Sequence, residues 1–193
     1  SLVFHKELSE VNSEERRRAK IINFGIIYGM GAQSLSKELN IKFSEAKEFI
    51  QNYYEKFPKI IDFIEKQKAF AQKEGYVETI FGRRLYLSNI HSSNQQFRSE
   101  AERVAVNMPI QGTAADIIKI AMIRLHEIFK DNDKIKMIIQ VHDELVFEVE
   151  NTYVDEAKKI IKETMENALP EKYSDKVKLL VEAGVGSNWA EAH

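Results

Sequence analysis

The chain contains no cysteine. That excludes disulfides and thiolate metal sites and suits an intracellular protein. Proline occurs only at positions 58, 109 and 170, so few points force the backbone out of helix. There is no apolar run of about 18 residues, the length a membrane-spanning helix needs. The leading residues SLVFHKELSE turn charged too early for a signal peptide. Internal repeats and low-complexity tracts are also missing. Arginine disappears after Arg124.

What remains is an ordinary globular balance, 44% hydrophobic and 30% charged over 193 residues, enough for one domain or two small lobes. The net charge of −2 argues against a uniformly basic nucleic-acid-binding domain, but its distribution matters more. Five arginines sit in two clusters, Arg16-Arg17-Arg18 and Arg83-Arg84. Arginine suits planar recognition of phosphate, so this crowding suggests a face that meets an anion.

Hydrophobic periodicity predicts long helices. The first runs from about Ser13, as N-cap, to Met30. Others are expected over 44–57, over 58–74 with Pro58 at the start, over 94–129 with a kink at Pro109, and over 153–169. GYVETIFGRRLYL, from Gly75 to Leu87, reads as a β-hairpin over about 76–88 turning near Gly82. KIKMIIQVHDELVFEVE reads as two β-rich runs around His142-Asp143-Glu144, and 177–181 reads as β-like. The expected class is α+β, mostly helical. A helical lobe over 1–92 should precede a mixed portion over 93–193, with a long helix and a small antiparallel sheet.

The stretch RRRAKIINFGIIYG is the most informative. At about 100° per residue, Arg16, Lys20, Phe24 and Tyr28 wind along one helix face. Ala19, Ile22, Gly25 and Ile26 lie opposite, where a core belongs. Two cations followed by two aromatics span about 18 Å of helix, comparable to a nucleoside triphosphate. Cations hold phosphate oxygens and aromatic rings pack on sugar and base. Cations are also disfavoured near a helix N-terminus, which an anionic ligand would offset. An Arg-x3-Lys pair alone would fit an amphipathic helix with solvated cations equally well.

His142, Asp143 and Glu144 stand between two apolar runs, where a tight turn would present carboxylates to a hard divalent ion. Asp also favours turns for conformational reasons alone. RVAVNMPIQGTAAD places Arg103, Asn107 and Gln111 four residues apart on one winding helix face. Side chains of that kind touch a duplex without reading its sequence.

The full spacing R-x3-K-x3-F-G-x2-Y-G, with VHDE downstream, resembles the family A (DNA polymerase I-like) DNA polymerases, specifically their fingers and the rear of their palm. The resemblance implies that Arg16 and Lys20 bind the triphosphate of an incoming dNTP, Lys20 with a catalytic part. Phe24 would pack on the sugar and Tyr28 beside the templating base. Gly25 and Gly29 would permit close packing as the helix rotates. Asp143 would be a metal ligand for Mg²⁺, with two ions in the complete site, and Glu144 would support it. His142 would approach the primer end. Arg103, Asn107 and Gln111 would lie along the primer-template, and Arg83 and Arg84 would meet the template strand. The implied setting is the cytoplasm, the nucleoid or a DNA-containing organelle.

The family's first catalytic motif, D-Y-S-x-x-E-L-R, does not occur here, nor does a thumb. An upstream half carrying both is therefore an expected partner, in the same or another chain, and this chain by itself is expected not to polymerise. Other readings are one half of a split polymerase, a non-catalytic nucleic-acid-binding module, or a metal-dependent hydrolase built on His142, Asp143 and Glu144. A bare binding module has no use for a metal-ligating carboxylate. A hydrolase leaves the Arg16–Tyr28 stripe unexplained.

Overall fold

A computed structural model of the protein describes residues 7–192. The outermost residues of the two expected portions, 1–6 and 193, lie outside the described residues. Helices dominate, with two small antiparallel sheets, so the α+β, mostly helical class stands. The chain divides into two compact units, Ser1–Gly112 and Thr113–His193.

In the first unit, α1 covers Ser13–Ile27. Its N-cap is Asn12, one residue before the expected Ser13. The Asn12 side chain accepts from the Glu15 amide, and the Glu15 carboxylate accepts from the Asn12 amide, a reciprocal capping box. α1 ends at Ile27, sooner than its periodicity predicts. Gly29 takes φ +78°, Met30 N–H donates to the Gly25 carbonyl at 2.7 Å, and Gly29 N–H donates to that of Ile26 at 3.0 Å. These are the two closing bonds of a Schellman motif, with glycine at the left-handed position. Tyr28 is thus the cap residue and not part of the helix body.

α2, Ala32–Leu39, was not anticipated. It is short and follows Gly31, but Leu35 and Leu39 fall four apart and both are buried, which anchors it. α3 is Phe43–Lys56 and α4 is Pro58–Glu74. Pro58 starts α4, where no intrahelical N–H is needed, and left-handed Gly75 at φ +77° ends it. Ile22, Ile26, Leu35, Leu39, Ala46 and Tyr53 form one core, which therefore joins α1, α2 and α3. Tyr53 Oη donates to Asn23 Oδ1 at 2.5 Å, pinning the rotation of α1 about its axis.

β1, Tyr76–Glu78, pairs antiparallel with β2, Arg84–Tyr86. The long helix α5, Gln95–Phe129, continues through Pro109. A second core of Ala71, Val77, Leu87, Ile90, Ala101, Ala105 and Met108 seats the hairpin against α4 and the first half of α5.

In the second unit, β3, Ile135–Val141, pairs antiparallel with β4, Glu144–Val149. The register slips between Met137 and Ile139, a bulge that leaves Ile138 and Ile139 both exposed. α6, Val154–Glu166, packs on the other face. Leu125, Phe129, Ile135 and Ala157 are its buried core. Two short helices follow, α7 at Glu171–Ser174 and α8 at Trp189–Ala192. The β-like run 177–181 forms no strand. A strand exists by pairing, and among the described residues β3 and β4 pair only with each other.

Candidate nucleotide-binding stripe and carboxylate turn

Three cluster arginines and one lysine crowd α1, and the structure sorts them. Glu14 takes Arg17 at 2.7 Å and Arg18 at 3.8 Å. Arg18 also donates to the Leu39 carbonyl at 3.2 Å. The Arg17 guanidinium, by its hydrogen bond, holds the Glu14 carboxyl below the usual carboxylate range. Arg16 and Lys20 are exposed and form no side-chain hydrogen bond or ion pair among the described residues. Two like charges four residues apart destabilise a helix by a few tenths of a kcal/mol, and a bound anion would reverse that sign.

Phe24, 51% exposed, continues the stripe beyond the cations. Its ring stacks on Tyr28 at 6.2 Å between centroids, with 23° between planes. On the opposite face Ile22, Gly25 and Ile26 are buried. The stripe anticipated from spacing is therefore assembled, with Tyr28 delivered by the cap.

The other expected contact residues of this unit fall into three situations. Arg103 and Gln111 are exposed. Arg103 also closes on α1's terminus: a Cβ added to Gly29 would stand 3.0 Å from Arg103 Cγ. Asn107 is half-buried, and its Oδ1 has no hydrogen-bond partner among the described residues. Arg83 and Arg84 are engaged within the chain. Arg83 Nη2 donates to the Gly112 carbonyl at 2.9 Å. Arg84 pairs with Glu78 at 3.2 Å and lies 4.4 Å from the centroid of Tyr76. Both remain exposed, but neither is a loose cation.

Gly112 escaped sequence reasoning. A Cβ there would meet Thr79 Cγ2 at 2.8 Å and Arg83 Nη2 at 3.1 Å, so its bare backbone lets the hairpin close on α5. A lone glycine inside a helical pattern is the available signal for such contact.

In the second unit, His142 and Asp143 are the two residues between β3 and β4, closed by the Val141–Glu144 pair. His142 has φ +53°, as the first position of primed hairpin turns requires, and His tolerates that region better than most residues. Gln140 Nε2 donates to the His142 carbonyl at 2.6 Å. The turn leaves Asp143 exposed, while Glu144 is half-buried and accepts a 2.7 Å hydrogen bond from Trp189 Nε1. Among the described residues, no three His, Asp or Glu side chains are grouped to hold a metal. The exposed Asp143 carboxylate at this turn could be one ligand of a divalent ion.

Comparison with known proteins decides the family, because the model for DNA polymerase family A matches residues 1–191. The chain belongs to DNA polymerase family A. It is 47% identical to DNA polymerase I of Rhizobium leguminosarum over all of this chain and 19% of that protein. It is 48% identical to the thermostable DNA polymerase I of Thermus filiformis over 94% of this chain and 21% of that one. The POL domain of Pol1 from M. smegmatis, in complex with DNA primer-template and dNTP, superposes with a TM-score of 0.92 at 41% identity. That match covers all of this chain and 33% of that one. This family A chain thus spans about a fifth of the length of the curated relatives it matches. Among the described residues, no helix is long and apolar enough to cross a membrane.

Proposed function

We propose that this chain supplies the dNTP-binding fingers and the rear of the palm to a DNA-directed DNA polymerase. The enzyme would add dNMP to a primer 3′-hydroxyl under template direction. The observation that carries this reading is the division of labour on α1. Arg17 and Arg18 are both paired with Glu14, while Arg16 and Lys20 have no counterion among the described residues and stand in line with the stacked Phe24 and Tyr28. The assignment puts fingers at 1–92 and palm at 93–193.

Arg16 and Lys20 would hold the triphosphate, Lys20 nearest the reacting group. Phe24 would cover the sugar and Tyr28 would flank the templating base. Arg103, Asn107, Gln111 and His142 would follow the primer-template, with Arg83 and Arg84 towards the template strand. Members of the family use divalent metal ions. Asp143 fits as one ligand of Mg²⁺, with Glu144 in support and further carboxylates from the upstream half. When bound, such ions stabilise the charge that develops as the primer oxygen attacks the α-phosphate.

The test is dNTP affinity and single-nucleotide incorporation by a polymerase containing this chain. Lys20→Ala should weaken nucleotide use by the worth of a hydrogen bond to a charged group, about 1.5–3 kcal/mol. Primer-template affinity should hold. Normal incorporation in the variant contradicts the reading.

A further inference from the structure

Trp189 stands in an unusual position for the chain's single tryptophan. It is 43% exposed, so burial of its ring does not account for it. What is fixed is its N–H, which reaches Glu144 Oε1 at 2.7 Å across 45 residues of sequence. We propose that Trp189 is a positioning residue for the Glu144 carboxylate, and that residues 187–191 form a clip that holds the indole for this task. The proposal rests on the reading of Glu144 as support for the Asp143 site.

The clip is specific. Asn188 Oδ1 accepts from the Glu191 amide at 3.2 Å. Glu191 Oε2 accepts from the Ser187 amide at 2.9 Å, and its Oε1 accepts from Asn188 Nδ2 at 2.7 Å. The Ser187 hydrogen bonds hold the Glu191 carboxyl below the usual range. Ser187, Asn188 and Glu191 around Trp189 are thereby tied to one another, and the indole enters the bond already oriented.

The choice of donor carries the functional argument. Glu144 follows Asp143 directly and forms the closing pair of its turn with Val141. An Arg or Lys at the position of Trp189 would orient the carboxylate but cancel its charge beside a cation site. An indole N–H is a neutral, donor-only group. It selects one carboxylate rotamer and leaves the negative charge intact. A hydrogen bond between a neutral donor and a carboxylate is also stronger than a neutral pair, so the indole can hold the rotamer without itself adding a positive charge.

Two measurements test this. Trp189 is the only indole, so emission of the 193-residue chain reports on this contact alone. Glu144→Ala should shift the emission, and Glu144→Gln, which keeps the acceptor oxygen, should shift it less. An unchanged spectrum in Glu144→Ala overturns the contact. In a polymerase containing this chain, Trp189→Phe removes the N–H and keeps an aromatic ring. It should lower kcat about tenfold, the effect of losing roughly 1.4 kcal/mol, and raise the Mg²⁺ concentration for half-maximal extension. KM for dNTP and primer-template affinity should stay within twofold. Unchanged kcat and Mg²⁺ dependence overturn the positioning role. Equal losses in every parameter, with a lowered melting temperature, also overturn it in favour of a structural part. A parent enzyme that extends no primer overturns the polymerase reading and the positioning role with it, while the emission result still decides the contact.

Discussion

The Cβ that Gly29 lacks would stand 3.0 Å from Cγ of Arg103. The cap of α1, the proposed nucleotide-facing helix, and the expected duplex-facing side of α5 therefore meet through a missing side chain. Gly29 also holds φ +78°, which costs an ordinary L-residue roughly 1–2 kcal/mol. Gly29→Ala should lower stability by at least that much in urea unfolding. In an Arg103→Ala background the steric part vanishes and the backbone part of about 1–2 kcal/mol remains. An unchanged unfolding midpoint contradicts this account of α1's end.

Gly112 sets two effects against each other. Alanine is favoured over glycine inside a helix by about 0.8–1.0 kcal/mol. The new Cβ would lie 2.8 Å from Cγ2 of Thr79, which is only 3% exposed and accepts the Phe81 and Arg83 amides at 3.3 Å each. Thr79 cannot move without loosening the hairpin, and such overpacking costs typically 1–3 kcal/mol. The clash should win. Gly112→Ala should lower the melting temperature and weaken primer-template binding of a polymerase carrying it. A raised melting temperature would show that helix propensity decides instead.

The three clustered arginines should separate by function. Arg16→Ala should reduce dNTP affinity several-fold and leave the chain's unfolding midpoint nearly unchanged, because Arg16 has no side-chain partner among the described residues. Arg17→Ala should leave dNTP affinity alone, since Glu14 already engages that guanidinium. Equal effects of the two variants on dNTP affinity, measured by steady-state titration, would contradict the assignment.

From sequence the three arginines read as one anion-facing cluster, although the spacing carries their sorting. Glu14 lies three and four residues before Arg17 and Arg18, where side chains meet, but only two before Arg16, where they do not. α4 was equally legible, bracketed by Pro58 and Gly75. The carboxylate turn was legible because two apolar runs left His142-Asp143-Glu144 no other place. Other features depend on partners far along the chain. Periodicity carried α1 past Ile27, since only the bonds of Gly29 and Met30 back to Ile26 and Gly25 show where it closes. The run at 177–181 has strand-like residues, but pairing and not composition makes a strand. Gly112 and Trp189 owe their roles to Thr79, Arg83 and Glu144, which no local pattern connects to them.

The most direct test of the central claim is Mg²⁺-dependent primer extension by the purified 193-residue chain, alone and with an upstream polymerase half. Among the described residues no three His, Asp or Glu side chains are grouped to hold a metal, so Asp143 and Glu144 would supply only one side of the proposed site, and two-metal transfer needs ions about 3.5–4 Å apart, flanked by carboxylates on both sides. The chain alone should give no extension. Supplying the upstream half, in trans or by fusion, should give template-directed extension that Asp143→Ala abolishes. Extension by the chain alone that Asp143→Ala removes, or restored extension indifferent to Asp143→Ala, would contradict the account.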